Sequence, residues 1–421
     1  MTRDEASERT LGINGLGRIG KLTLWHHVDR KYFTRVVVNL GREVGRDLEA
    51  VCGAIEKDST YGSMHRFLYG VNAEPCVHII DREKKLLEVA GMPVTILQKA
   101  RNPRDIGWRD HGVRIVVDST GAFTDPTRPV DDESGSLRGH LGAGAAKVLN
   151  SAAFKIADKE ISMPDDAVTL IYGCNHESFD PARHHVISAA SCTTTALAHM
   201  VKPLLDHLPD SAIMTASMST VHAATPSQKL LDAVPKAGAK DLRKSRSAFN
   251  SIILTSSNAA RALEEVITEI RQVGFMADSV RIPVPTESLI ILNLTLQSWI
   301  DPDGRSSVSA PLINQIYREA ASGSQKGLLV YSDEQNVSAD VMGMRAAVVI
   351  ETAETHTRTG FVDVDLNHVP EVDPRVLEGL SKPEIRVPVT HAKIFGWYDN
   401  EYGSYTNLLG DLTIHVHRMM D

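Results

Sequence analysis

Three glycines spaced G-x-G-x-x-G, in Gly15-Leu16-Gly17-Arg18-Ile19-Gly20, lie between an apolar run, Leu11-Gly12-Ile13-Asn14, and a helical pattern from Arg18 to Arg30. Glycine allows a tight strand-to-helix turn and lets backbone amides approach a pyrophosphate seated on the helix N-terminus. Glycine-rich turns are common, so the spacing alone is weak. Its flanks make it specific: a β-branched run, Val36-Val37-Val38-Asn39, follows the helical stretch and completes a strand–helix–strand unit. Later runs at Arg114-Ile115-Val116-Val117-Asp118 and Lys147-Val148-Leu149-Asn150-Ser151 keep the alternation going and predict a parallel α/β sheet.

A dinucleotide turn of this kind is usually followed, about 20 residues on, by an acid that holds the ribose 2′-hydroxyl. Here the second strand ends Asn39-Leu40-Gly41-Arg42-Glu43, with no acid at its tip in the simplest alignment. Arg42 or Arg46 is suited to a 2′-phosphate, and Glu43 to the hydroxyl after a small loop shift. The cofactor reads as NAD or NADP, with the charges leaning to NADP.

A second cluster carries nucleophile chemistry. Ser191-Cys192-Thr193-Thr194 precedes an amphipathic run in which Leu197, Met200, Val201, Leu204, Leu205 and Leu208 recur at helical spacing. Ser191 is a good N-cap, which places Cys192 in a first turn where backbone amides favour a thiolate. His222, in Thr220-Val221-His222-Ala223, follows 30 positions later (222 − 192) and supplies an imidazole. A cysteine ahead of an apolar stripe is more often core than catalytic, and so is a histidine in an alternating strand. The glycine turn supplies the hydride acceptor that such a thiol needs, and it reverses that reading. A thiol protease or acyltransferase would leave the turn unexplained.

Composition narrows the class. Acids outnumber bases 53 to 45, a net charge of −8, which argues against general nucleic-acid binding. Cys52, Cys76, Cys174 and Cys192 show no C-x-x-C spacing and read as reduced thiols, not a disulfide framework or a metal site. The polar start has no signal-like apolar region, and no run approaches the roughly 20 apolar residues that span a bilayer. A cytoplasmic enzyme without metal or membrane partner is expected. Beyond Cys192, longer apolar or alternating segments at residues 212–221, 288–300 and 345–350 predict a mixed sheet. Asp131-Asp132-Glu133-Ser134-Gly135-Ser136 reads as a surface insertion, and residues 366–388, with four prolines, as an extended surface excursion.

Further stretches fall in order along the chain: Gly12-Ile13-Asn14-Gly15-Leu16-Gly17-Arg18-Ile19-Gly20, Lys57-Asp58-Ser59-Thr60-Tyr61-Gly62, Ser119-Thr120-Gly121 and Ala190-Ser191-Cys192-Thr193-Thr194. They continue with Ser219-Thr220-Val221-His222-Ala223, Arg281-Ile282-Pro283-Val284-Pro285-Thr286 and Trp397-Tyr398-Asp399-Asn400-Glu401. Together they resemble the phosphorylating glyceraldehyde-3-phosphate dehydrogenase family. The resemblance implies a Rossmann dinucleotide-binding domain over residues 1–151 and an α+β catalytic domain, with a mixed and largely antiparallel sheet, over 152–403. A C-terminal helix over 404–421 would return to the first domain. It also implies a homotetramer that takes glyceraldehyde 3-phosphate and inorganic phosphate to an acyl phosphate, through a thiohemiacetal and a thioester.

Matched residue by residue, Cys192 is the nucleophile and His222 its base. Asn14, Gly15, Gly17, Arg18, Ile19 and Gly20 cradle the pyrophosphate, with Arg101, Thr120 and Ser151 nearby, and Asn400 holds the nicotinamide carboxamide. Arg246 and Arg281 match the family's anion-binding arginines, whose guanidinium forks suit phosphate. Ser191, Thr193, Thr225 and Ser257 donate hydroxyls. By itself Lys240-Asp241-Leu242-Arg243-Lys244-Ser245-Arg246 reads equally as a solvated basic loop.

The chain also departs from the pattern. Thr195 and Ala196 replace an asparagine and a second cysteine, Asn102 replaces an aspartate, and the stretch after Asn400 is one residue longer, which leaves Tyr405 to take the usual aromatic place. Ser257-Asn258 stands for threonine–glycine, so Asn258 puts a side chain where an amide would approach the attacking phosphate. Insertions lie near 131–138 and 353–388. Asn258 motivates an alternative, oxidation of erythrose 4-phosphate or a related aldose phosphate to the acid by water. A non-catalytic homologue with a binding role is the remaining reading.

Overall fold

The computed structural model describes residues 9–98, 100–158, 160–208 and 213–420. The polar start, residues 1–8, and the first residue of the segment 212–221 lie outside them.

The first sheet has nine strands. Thr10–Asn14 lies at its centre, parallel to Arg35–Asn39 on one side and to Ile115–Asp118 on the other. Lys147–Asn150, Val186–Ser188 and Ala167–Thr169 extend it in parallel, and Met92–Leu97 joins the opposite flank. Leu86–Val89 and Val77–Asp81 close that flank antiparallel. Leu11, Ile13, Val36, Val37, Val38, Ile115, Val116 and Val117 are all fully buried, the continuous apolar runs that a sheet covered on both faces requires. The helix Arg18–Arg30 has the bounds that its periodicity set and packs Leu22, Leu24, Trp25 and Val28 into this core.

Pairing carries this sheet on to Ser188, so the expected boundary at 151/152 falls inside it. Ala167–Thr169 and Val186–Ser188 are only 3 residues each, too short for periodicity to announce. Chain leaving Ser188 turns through Ala190, in the left-handed region at φ 55°, straight into the helix Cys192–His207. That places the thiol at the carboxyl edge of the parallel strands, where ligands bind in open α/β sheets.

The second sheet has eight strands of mixed direction. Ile213–Ala223 runs parallel to Gly274–Ile282 and antiparallel to Ser288–Gln297, which in turn pairs antiparallel with Glu384–Tyr398. Alternation along Ser288–Gln297 turns Ile290, Leu292, Leu294 and Leu296 into a core shared with Leu197, Met200, Val201 and Leu204 of the thiol helix. The architecture is the expected one, a Rossmann sheet joined to a mixed catalytic sheet.

Residues 366–388 do not simply trail over the surface. They cap a long hairpin, His356–Asp365 against Glu384–Tyr398, with the short helix Pro374–Glu378 at its end. The C-terminal helix Asn407–Arg418 packs Leu409, Leu412 and Val416 into the first core, and Arg30 Nη2 donates to the Asn407 carbonyl at 2.8 Å. Among the described residues, no helix is long and apolar enough to cross a membrane, and no group of three His, Cys, Asp or Glu side chains is placed to hold a metal ion.

Candidate active site

The three glycines of the turn do different work. Gly15 sits at φ +93°, a conformation that side chains rarely adopt, and its amide donates to Asn39 O at 2.9 Å. A Cβ on Gly20 would stand 2.2 Å from Gly15 O, so helix and turn pack without room for one. Gly17 faces open space and caps a helix whose first turn holds no acid. Free amides and the positive end of the helix dipole therefore meet the cavity.

Beneath the turn is a buried polar network that sequence reasoning missed. Asn39 Nδ2 donates to Asn14 Oδ1 at 2.9 Å, and Asn14 Nδ2 to Asp118 Oδ2 at 2.8 Å. Burial alone would raise the Asp118 carboxyl, but His140, the Thr120 hydroxyl and Asn14 hold it below its ordinary value. Thr120 N and Oγ1 both donate to Asp118 Oδ1, at 3.0 and 2.7 Å. Asn14 thus shapes the turn from below and does not line the cavity. The signal that could have found the network is the acid ending an otherwise apolar strand, Ile115–Asp118.

Cys192 is the first residue of its helix, capped by Ser191, whose Oγ accepts from Thr194 N at 3.2 Å. Its Sγ lies 3.6 Å from His222 Nε2. The adjoining strands set this contact: His222 sits in Ile213–Ala223, opposite Arg281 in the parallel strand Gly274–Ile282. His222 Nδ1 lies 2.7 Å from Ala223 O, which favours a proton on Nδ1, and also against the Arg281 guanidinium, which favours one on Nε2.

Burial, then the Arg281 guanidinium, lowers His222 to about 3. Burial pushes the Cys192 thiol above its ordinary value, against the pull of Arg281 and of the Thr193 hydroxyl and amide. A helix N-terminus was expected to favour the thiolate; burial opposes it and outweighs the pull of Arg281 and Thr193.

Arg281 supplies the cation. Its Nη1 contacts His222 Nδ1 and Ala223 O, while its buried Nε has no hydrogen-bond partner among the described residues. No carboxylate pairs with it among those residues, an arrangement suited to a bound anion. Thr193 Oγ1 and Thr220 Oγ1 lie 2.9 and 2.8 Å from the buried Tyr398 hydroxyl, a second partner set that sequence reasoning missed.

One cavity of about 590 Å³ brings together Gly17, Arg18 and Ile19 with Thr120, Ser151, Ser191, Cys192, Thr193, His222, Thr225, Ser257, Asn258, Arg281, Asn400 and Tyr405. The Tyr405 hydroxyl donates to Ala190 O at 3.2 Å, at the entry to the thiol helix. Asn258 precedes the helix Ala259–Val266 and lines the cavity, and its side chain makes no capping hydrogen bond to that helix. The Asn400 Oδ1 receives the Thr286 and Ser288 hydroxyls at 3.4 and 3.3 Å, which leaves Nδ2 to donate into the cavity.

Other expected residues lie elsewhere. Arg18 lines the cavity, but its guanidinium is held by Glu401 and Asp58 and is not free for phosphate. Arg42 and Arg101 are exposed beyond the tip of Arg35–Asn39, with Arg101 Cγ near Gly41. Arg246 does not reach the cavity: it is on an exposed loop, Nε to Asp232 Oδ2 at 3.0 Å, and Asp232 also accepts from Ser247 N. In the single chain, this carboxylate anchors the basic loop away from Cys192.

A glycine turn over a Rossmann sheet, opening on the same cavity as a cysteine–histidine pair, defines the class as a nicotinamide-dependent oxidoreductase. Residues 9–126 match the family model for glyceraldehyde 3-phosphate dehydrogenase, NAD binding domain, and residues 191–366 that for its C-terminal domain. The chain is 34% identical over 407 residues to a glyceraldehyde-3-phosphate dehydrogenase of Streptomyces coelicolor, covering 96% of this chain and 98% of that protein. Glyceraldehyde-3-phosphate dehydrogenase 1 of Bacillus cereus is 30% identical over 406 residues (96% and 98%), and the Geobacillus stearothermophilus enzyme 31% over 412 (96% and 97%). The chain belongs to the glyceraldehyde-3-phosphate dehydrogenase family.

Proposed function

We propose that this protein oxidises glyceraldehyde 3-phosphate, with NAD or NADP and inorganic phosphate, to an acyl phosphate through intermediates on Cys192. The supporting observation is Cys192 Sγ at 3.6 Å from His222 Nε2, beside the buried and carboxylate-free Arg281. As sulfur bonds to the aldehyde carbon, the thiol proton moves to Nε2 and then to the new alkoxide, giving a thiohemiacetal. Loss of hydride from that carbon, with the hydroxyl proton passing to Nε2, leaves the thioester. A nicotinamide held in this cavity would supply the hydride acceptor. A phosphate oxygen then adds to the thioester carbonyl, the S–C bond breaks, and the departing thiolate recovers its proton from His222. Arg281 faces the anionic species.

For the cofactor, the amides at Gly17 and Ile19, the Thr120 and Ser151 side chains and Asn400 Nδ2 are the groups that would hold it. Asn39, spent on Asn14 and Ala100 O, stands where an acid would select the 2′-hydroxyl. Exposed Arg42 and Arg101 beside it make no ion pair among the described residues and favour acceptance of NADP. Steady-state assays with NAD and NADP side by side test this, and Arg42→Ala is expected to weaken NADP selectively. An equal effect on both cofactors refutes the role.

Asn258 supports a second reading, in which water resolves the thioester of an aldose phosphate such as erythrose 4-phosphate. Aldehyde oxidation with and without inorganic phosphate separates the two. A rate indifferent to phosphate sinks the first.

A homotetramer completes the proposal. The accessible surface is 21467 Å², against roughly 16,000 Å² for a compact monomer of 46.0 kDa. Leu231, Val234, Phe249 and Ile252, on the loop that carries Arg246, are each more than 70% exposed, an apolar patch that a second copy would cover.

A further inference from the structure

A second cavity, of about 410 Å³, shares no residue with the first. It lies at the far end of the same helix: Gly17 and Arg18 open on the thiol, while Arg30 and Lys31 open here. Arg9 joins them from the chain just before the first strand, and His415 and Arg418 from the last helix. Converging cations repel, so the fold must hold them together. Tyr32 does this: the Arg9 and Arg418 guanidiniums lie 4.7 and 5.1 Å from its ring centroid, while its hydroxyl is 3.0 Å from His417 Nδ1.

One acid faces the cavity, Asp411, and it is engaged by Arg30 at 3.0 Å. Arg9, Lys31 and Arg418 have no carboxylate partner among the described residues. Cations complement the C-terminal dipole of a helix, which accounts for Arg30 and Arg418. It does not account for Arg9, which belongs to neither helix, or for the space enclosed between them.

We propose that this cavity binds an oligophosphate chain, either inorganic or carried by a nucleotide. Unpaired cations on separate elements match the several charges of linked phosphates better than the single centre of orthophosphate, and guanidinium forks suit phosphoryl oxygens.

Calorimetric titration of the full-length protein with inorganic triphosphate tests the assignment. The variant R9Q/R418Q is expected to weaken binding by about tenfold or more, and K31Q by less, as the loss of charge-assisted contacts implies. R281Q, which lacks the anion-binding cation of the thiol cavity, should retain a triphosphate site that R9Q/R418Q lacks. Orthophosphate should bind at least about tenfold more weakly than triphosphate, and added salt should weaken both. ATP binding tighter than triphosphate, with the same loss in R9Q/R418Q, supports a nucleotide as the source; equal binding supports the phosphate chain alone. Wild-type affinity in a folded R9Q/R418Q, loss of binding in R281Q alone, or equal affinity for orthophosphate would overturn the proposal.

Discussion

Arg18 and Glu401 grip each other across the cofactor end of the cavity: Arg18 Nε donates to Glu401 Oε1 at 3.0 Å and to Oε2 at 3.2 Å, across 383 residues of sequence. One residue lies within the glycine turn and the other follows Asn400. The ion pair therefore fixes the distance between the glycine turn and Asn400. Asp58, bonded to Arg18 and to Lys21 at 2.7 Å, braces it from the side.

Glu401→Gln should raise the KM for the nicotinamide cofactor several-fold with a smaller change in kcat, since the pair positions binding groups and touches no reacting atom. In a double-mutant cycle with Arg18→Ala, the coupling energy read from cofactor Kd is expected to be on the order of 1 kcal/mol. Additive effects would separate the pair from cofactor binding.

Arg281 is the cation that draws Cys192 toward ionisation and His222 away from it. In Arg281→Gln, the thiol should titrate at higher pH than in the wild type. Alkylation of Cys192 at pH 8, followed by mass spectrometry, should slow several-fold, while Cys76 labels at its former rate. Unchanged Cys192 labelling would show that Arg281 does not tune the thiol.

His222→Asn removes the proposed base while keeping a polar side chain. Oxidation is expected to fall by about 10²–10⁴-fold in kcat, the range for losing a positioned general base. Cofactor Kd should be little changed. A loss below tenfold would transfer the base role to another group.

Acid should destabilise the fold through His27, fully buried with neither ring nitrogen bonded among the described residues. Burial, then Arg30, lowers its pKa from 6.5 to about 3. A folded pKa below the unfolded one means that stability is fully present above pH 6.5 and is lost as pH falls toward 3. At pH 5 the deficit is about 2 kcal/mol, from 1.36 kcal/mol per unit. His27→Leu should flatten the acid limb of Tm against pH; an unaltered limb would point to other groups.

Glu287 has the opposite sign. It is buried at φ 71°, neither oxygen has a hydrogen-bond partner among the described residues, and burial together with Asp399 raises it from 4.5 to about 9. Its contribution is present below pH 4.5 and lost as pH rises toward 9. Glu287→Gln should raise Tm at pH 8 and change little near pH 4.5. A pH-independent shift would trace the effect to packing.

Local pattern was enough for much of the site. The G-x-G-x-x-G turn, the N-cap before Cys192 and the alternation around His222 each follow from spacing within one element, because backbone sterics and a single buried face dictate them. Arg246 shows the limit: the family resemblance grouped it with Arg281, but Asp232, 14 residues earlier, holds it on an exposed loop. Arg18 shows another, since its carboxylate partners come from two distant segments.

The sequence by itself determined the longer elements, the class of cofactor and the thiol–imidazole pair, since these depend on residue type and short-range geometry. Tertiary structure decided which charges are satisfied and which are left for ligands. It spent Arg18 on Glu401 and Arg246 on Asp232, left Arg281 without a carboxylate partner among the described residues, and set burial against the ionisation of Cys192. Burial and long-range pairing set those outcomes, and neither is written in local order.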